Sequence, residues 1–404
     1  MKKKILFLEQ QSWLSGAQRV LESVLEATAG EYDPIVAFPG KGEFAGNLAD
    51  RDIQTLSYPL GFYQTGRKSG AEKLEFAGRS LACAFKLVRV IQRQNVRLVY
   101  INGPRCMLSG VLAARIARRP ALFHLHLNLE RQPEILLVAN LARYVSAIVS
   151  CSRAAAAALL RANRSLAGKT HILYNPLIGC GCASSDVPVS QQPGGDSSAV
   201  ILGVVGRITK PKGQMVLLNA LARLSAQNKA RVHVVFIGAP SPENSDDLAY
   251  DRRLKEWATR FGLEATIEWA GYQTAVDPFY RAMDVLIQPS LPTSGESMPL
   301  SMLEALQHGV PVIASRTGGI PEIIRHGSNG LLVAPGDEVA LARALERFLQ
   351  DTSLRARLRA GARSSIDDRF SLDNFKSRIR GLIWKLCAAQ QSGSPEAIRK
   401  ESAA

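Results

Sequence analysis

The chain has 404 residues, with 50 Lys and Arg against 35 Asp and Glu, for a formal net charge of +15. That length suits about two or three domains. An apolar share of 46% and a charged share of 21% exclude disorder, collagen and a coiled coil, and an aromatic share of 6% excludes a stacking platform spread along the chain.

Met1-Lys2-Lys3-Lys4 carries the charge of a signal-peptide start. The apolar run behind it, residues 5–8, is shorter than the about 7–15 residues of an h-region, so it reads as a first strand. From there, short β-branched runs alternate with longer amphipathic stretches, which predicts parallel α/β architecture. Strands are expected at 5–8, 34–38, 53–57, 98–101, 121–125, 147–150 and 171–173, with helices including 16–29, 74–94 and 154–166. The most apolar stretch, 135–151, contains Arg143, and no uncharged run reaches the roughly 18 residues of a membrane span. Residues 179–198 are rich in Gly, Ser, Pro and Gln and read as a linker. The alternation then restarts, with strands expected at 200–205, 232–237, 266–270, 285–288, 312–314 and 331–333. Helices are expected at 213–226, 247–261, 299–308, 338–350 and 372–388, and the polar residues 391–404 read as a disordered tail. Two such halves imply two facing Rossmann-like domains with ligands at the carboxyl ends of the strands.

The six cysteines (83, 106, 151, 180, 182 and 387) are expected to be reduced thiols. Cys180-Gly181-Cys182 has no further Cys or His at a zinc-ligand spacing, so no metal is assigned. The positive charge is concentrated: residues 61–120 hold 12 basic and 2 acidic side chains. That window reads either as a solvated surface or as a patch for an anionic partner.

Three constellations carry chemistry. Gly206-Arg207-Ile208-Thr209-Lys210-Pro211-Lys212-Gly213 joins a buried-looking strand to a helix. A glycine turn with Arg and Lys at a helix N-terminus suits a diphosphate, because the free N–H groups and the cations all favour negative charge. A basic surface loop is the plainer alternative. Glu296-Ser297-Met298-Pro299-Leu300-Ser301-Met302-Leu303-Glu304 sets two glutamates eight positions apart. Pro299 is expected in the first helical turn, with Glu296 in the loop before it and Glu304 on the apolar side. A buried carboxylate needs partners; a sugar diol would serve, and so would a nearby Arg. The third stretch, Arg316-Thr317-Gly318-Gly319-Ile320-Pro321-Glu322, marks another helix start at a strand end, or a turn that needs glycine for its backbone. In the first half, Ser15-Gly16-Ala17-Gln18 opens a helix, and His124-Leu125-His126 ends a strand with both rings on one face. One ring could lie in the core and the other at the strand end; the pair could bind metal, but no third ligand is evident.

Together these residues resemble the GT-B fold retaining glycosyltransferases of family 4, over nearly the whole chain and most strongly from 200 to 335. The resemblance is carried by Gly206-Arg207 with Lys212-Gly213, by the Glu296/Glu304 pair, by Ala282-Met283-Asp284-Val285, by Gly318-Gly319-Ile320-Pro321-Glu322 and by Asn329-Gly330-Leu331-Leu332-Val333. Tyr174-Asn175-Pro176 is similar to the usual end of the family's N-terminal domain. It implies an α/β GT-B fold with an interdomain active-site cleft: an acceptor domain over 1–178, the linker 179–198 and a nucleotide-sugar domain over 199–370. A crossover helix at 371–390 returning to the first domain and the tail 391–404 complete the chain. It also implies site roles. Arg207 and Lys212 would grip the diphosphate as it leaves, Glu296 would contact the donor sugar and Glu304 the ribose. The N–H groups of Met298, Leu300 and Ser301 would line sugar and phosphates, and residues 269–273 would run past the base. Gly16 would close over the phosphates, and His126 would stand near the acceptor and donor sugar. Ser15, Gly16 and Gln18 depart from the pattern of two glycines and an acidic residue that many members show.

The expected activity is therefore transfer of a sugar from a nucleoside diphosphate sugar to a hydroxyl, with retention, without a metal and without a cofactor. The acceptor expected is a lipid-linked or cell-envelope saccharide. The expected location is cytoplasmic, peripheral on the inner face of a membrane through the basic window 61–120. The alternatives are a phosphorylase, a sugar epimerase, or a non-catalytic binder of nucleotide sugar or nucleic acid. No nucleic-acid signature supports the last of these.

Overall fold

The computed structural model describes residues 2–60, 69–179 and 199–392. The expected linker from 180 onward, the tail from 393 and residues 61–68 of the basic window lie outside the described residues. The chain divides into two compact units, Met1–Pro176 with Ser371–Ala404, and Leu177–Phe370.

The first unit is built on seven parallel strands: β1 (Lys3–Glu9), β2 (Tyr32–Phe38), β3 (Gln54–Ser57), β4 (Val96–Asn102), β5 (Ala121–Leu125), β6 (Ala147–Ser150) and β7 (Thr170–Ile172). Their order across the sheet is β3-β2-β1-β4-β5-β6-β7. Strands covered on both faces read as continuous apolar runs, and Ile5 to Leu8 of β1 are fully buried. The helix Gly70–Arg93 starts four residues before the expected 74, because Ser69 and Glu72 form a reciprocal capping box there. The last helix, Leu372–Ser392, belongs to this unit and packs on the helix Gly16–Thr28. Phe375, Ile379 and Ile383 are buried, Lys376 pairs with Glu26 at 2.8 Å, and Arg378 donates to the Ile172 carbonyl. Residues 391 and 392, expected in the tail, are helical; no breaker interrupts the pattern until Gly393.

The second unit has six parallel strands: β8 (Val200–Val205), β9 (Val232–Ile237), β10 (Ile267–Gly271), β11 (Val285–Gln288), β12 (Val312–Ser315) and β13 (Gly330–Val333). Their order is β10-β9-β8-β11-β12-β13. Leu202, Val234, Ile287 and Ile313 meet the helices Gln214–Arg223 and Glu338–Gln350 in one apolar core. Asp284, just before β11, accepts from the Ile201 N–H and from Arg359, so its place in the sequence pattern is explained by tying β11 to β8.

Each sheet reverses its order once, between β1 and β4 and between β8 and β11. At such a point the connections leave to opposite faces, and the carboxyl ends of the two flanking strands border a crevice. The residues that close β1, β4, β8 and β11 therefore stand at the positions where this architecture binds ligands.

Candidate functional site

In the second unit the segment after β8 folds tightly against the segment after β11. Gly213 has φ of 74°, and a Cβ there would stand 2.0 Å from the Pro289 carbonyl oxygen, so only glycine permits this approach. The Leu291 N–H donates to the Pro211 carbonyl at 2.8 Å. This docking carries Lys212 across the crevice to Glu296, where Nζ and Oε1 form an ion pair. The Glu296 side chain is 10% exposed and that of Lys212 25%. Water still reaches the cation, so the pair can open to an incoming anion. Arg207 is exposed on the same loop, which is held by a bond from Gln214 Nε2 to the Arg207 carbonyl and by Thr209 donating to Asp247.

The Gly319 N–H donates to the Glu296 carbonyl at 3.2 Å, which fastens the third sequence constellation to the second. Pro299 sits at the N-cap, with φ −65° and ψ 120°, and the helix Leu300–Gln307 begins one residue later than expected. The N–H groups of Leu300 and Ser301 are thus first-turn donors, a favourable setting for an anion. Glu304 lies on this helix and is buried. Its Oε2 accepts from the Tyr280 hydroxyl at 2.7 Å, so a phenol meets it where the sequence offered an arginine as the alternative. Trp269 stacks on Phe236 with ring centroids 4.5 Å apart, and Gln273 Nε2 donates to the Ala270 carbonyl. Asn329 is a buried brace that accepts from the Arg325 N–H and donates to the Ile323 carbonyl.

In the first unit Gly16 is exposed at the start of the helix Gly16–Thr28. His124 and His126 do share a face, and their rings lie 3.8 Å apart, centroid to centroid. Neither is a simple strand-end histidine. Tyr100 bonds His124 Nδ1, and His126 Nε2 faces Asn102 Oδ1 at 2.7 Å. Burial, with His126 alongside, holds His124 well below the usual histidine range, and burial pushes His126 down to about 3. Asn102 in turn donates through Nδ2 to Glu9. Glu9 is fully buried, and that burial pushes its carboxyl up to about 7 in spite of bonds from Asn102, Gln18, Gln11 and Gln10.

No spacing or motif in the sequence marks Glu9, Asn102 or Tyr100, and Gln18 stands out there only as a departure from the family pattern. Gln18 is buried and donates through Nε2 to Glu9 at 2.8 Å, which gives that departure a structural use. The available signal was slight: an acidic residue closes the apolar run 5–8 of β1. Among the described residues no group of three or more His, Cys, Asp or Glu is arranged to hold a metal ion, and the four described cysteines are buried free thiols. No described helix is long and apolar enough to cross a membrane.

Residues 189–365 match the family model described as glycosyl transferases group 1, and residues 14–177 match the one described as glycosyltransferase family 4. A D-inositol 3-phosphate glycosyltransferase of Stackebrandtia nassauensis is 36% identical over 171 residues, 41% of this chain and 37% of that protein. The lipopolysaccharide core biosynthesis glycosyltransferase LpsE of Rhizobium meliloti is 32% identical over 175 residues, 43% of this chain and 47% of that one. The matched stretch thus spans less than half the length of these curated relatives. Anabaena HepE, solved in complex with UDP and glucose, superposes with a TM-score of 0.78 at 25% identity, covering 95% of this chain and 99% of that one.

Proposed function

The chain belongs to the group 1 glycosyltransferases of GT-B fold, and from that membership we propose that it transfers a sugar from a nucleoside diphosphate sugar to a hydroxyl, with retention and without a metal. The observation that carries this reading is the Lys212–Glu296 pair at the switch point of the second sheet, with Arg207 on the same loop. The diphosphate displaces Glu296 from Lys212, and the freed carboxylate is left to meet the donor sugar. Arg207 and Lys212 then face the charge that develops on the leaving diphosphate, and fixed cations there stabilise the transition state. The first-turn N–H groups of Leu300 and Ser301, with the Met298 N–H before them, contribute in the same sense. Glu304, held by Tyr280, takes the ribose hydroxyls. On the first unit, Gly16 serves the phosphates and His126 the transferred sugar.

The HepE complex supports a uridine diphosphate donor, and the LpsE match supports a cell-envelope saccharide as acceptor. Calorimetric titration with UDP, GDP and ADP in the presence of chelator tests the donor half. UDP binding that survives chelator and disappears in Arg207→Ala is expected. Binding that requires a divalent ion, or that Arg207→Ala leaves intact, would overturn it. An anionic membrane surface completes the proposal. The helix Gly70–Arg93 exposes Leu74 and Phe85 at 77% and 61%, with Leu81 on the same face, beside the exposed Lys73, Arg79, Lys86 and Arg89. Apolar side chains amid basic ones suit an interface of acidic headgroups.

A further inference from the structure

The strand register places Glu9 opposite Asn102 and Asn102 opposite His124. Side chains of directly paired residues stand on one face, and so does a residue two positions on. The Glu9 carboxyl, the Asn102 amide and the two imidazoles therefore form a single row at the carboxyl ends of β1, β4 and β5.

The row has a direction. Glu9 Oε1 already accepts three hydrogen bonds, from the N–H groups of Gln10 and Gln11 at 2.7 and 3.1 Å and from Gln18 Nε2 at 2.8 Å. Oε2 is left for Asn102. An ionised carboxylate only accepts, so the amide must turn its Nδ2 to Glu9, as it does. Oδ1 is then aimed at His126 Nε2. A carbonyl oxygen also only accepts, so Nε2 must carry the ring hydrogen. The ionisable neighbours of Glu9 do not compete for the arrangement: burial raises Tyr58, Tyr100 and Cys106 and keeps each uncharged. The nearby cation, Arg105, is engaged with the Gln10 carbonyl at 3.1 Å.

We infer that Glu9 is a positioning residue for the reaction: acting through Asn102, it holds His126 in the Nε2–H tautomer and leaves the lone pair on Nδ1. Its consequence for turnover rests on the reading that His126 serves the transferred sugar; the tautomer itself is a property of the first unit alone.

Glu9→Gln is the sharpest test because its outcome is forced. The oxygen of the introduced amide must stay with the three donors at the Oε1 position, so its NH2 faces Asn102. Asn102 must then turn over and present Nδ2 to His126, whose Nε2 becomes the acceptor. Nitrogen-detected NMR of 15N-histidine-labelled protein, on the alkaline side of neutrality where Glu9 is ionised, reads which ring nitrogen is protonated; His126→Asn assigns the signal. We expect Nε2–H in the wild type, Nδ1–H in Glu9→Gln, and turnover lower by about tenfold to a hundredfold, as when the partner of an oriented histidine is lost, with UDP affinity unchanged. An Nδ1–H wild type overturns the inference even if the variant fails to fold. An unswapped variant overturns it too, and a swap with unchanged turnover overturns the positioning role. Should the chain transfer no sugar at all, the two spectra still decide the tautomer, so that failure is separate from failure of the relay.

Discussion

The two units share one sheet order over six strands, with a seventh added in the first, yet treat their switch points oppositely. In the second unit the crevice between β8 and β11 is bridged by Lys212 and Glu296, two charges within reach of water. In the first, the crevice between β1 and β4 is bridged by Glu9 and Asn102, both fully or almost fully buried. A part-buried ion pair whose cation still meets water can exchange its carboxylate for an incoming anion. A buried polar row must keep every partner, because each one left unpaired is costly. The fold thus offers the same position twice; under the proposed function, access to water decides whether it serves as a docking site for an anion or as a rigid brace behind His126.

The largest effects should separate these roles. Lys212→Ala should lower transfer by roughly 100- to 1,000-fold, by analogy with loss of one oxyanion donor, while costing less than the about 3–5 kcal/mol of breaking a fully buried pair. Asn102→Ala should behave in reverse sense on the melt, costing about 1–3 kcal/mol because Glu9 and His126 lose a buried partner. Turnover and urea unfolding of the two variants check this; a Lys212 variant that melts far below the Asn102 variant would break the comparison.

A comparable effect on stability should depend on pH. The carboxyl of Glu9 is raised from 4.5 to about 7 in the folded chain. The folded state therefore holds a proton that the unfolded state has released, and the stabilisation from that proton is lost as pH rises from about 4.5 through 7. Glu9→Gln has no such group. Its stability relative to wild type should grow by about 3 kcal/mol over that window and then level off, since each pH unit between the two values is worth about 1.4 kcal/mol. The depressed histidines, His124 and His126, act in the opposite direction but occur in both proteins and cancel in the difference. A difference that is flat with pH would show that Glu9 is ionised throughout. The smallest effect on the fold should come from the surface: Leu74→Ser with Phe85→Ser should change stability by less than about 0.5 kcal/mol while reducing sedimentation with anionic vesicles.

Much of this was legible in the sequence where information is local. Glu296 and Glu304 stand eight positions apart around a helix start, and Lys212 and Gly213 close a turn at another, so spacing alone marked them. The Glu9–Asn102 contact spans 93 positions and leaves no spacing to read. The partner of Glu304, Tyr280, is 24 residues away on another helix. One further helix carries local signals of its own. The helix Thr352–Arg363 has its Asp351 cap and buried Leu354, Leu358 and Ala362 at four-residue spacing, although basic residues dominate its composition.

What the amino-acid sequence determined by itself is the alternation of strand and helix, its restart at β8 and the charged loops that follow β8 and β11, because periodicity and turn chemistry act over a few residues. The tertiary structure alone decided which strand ends became neighbours. Parallel pairing in the order β1, β4, β5 brought Glu9, Asn102 and His124 into register with His126 just beyond, and burial then made the bonds from Glu9 to Asn102 and from Asn102 to His126 costly to lose. A carboxylate that reads as one acidic residue at the end of a strand becomes, once water is excluded, the group that orients a histidine two strands away.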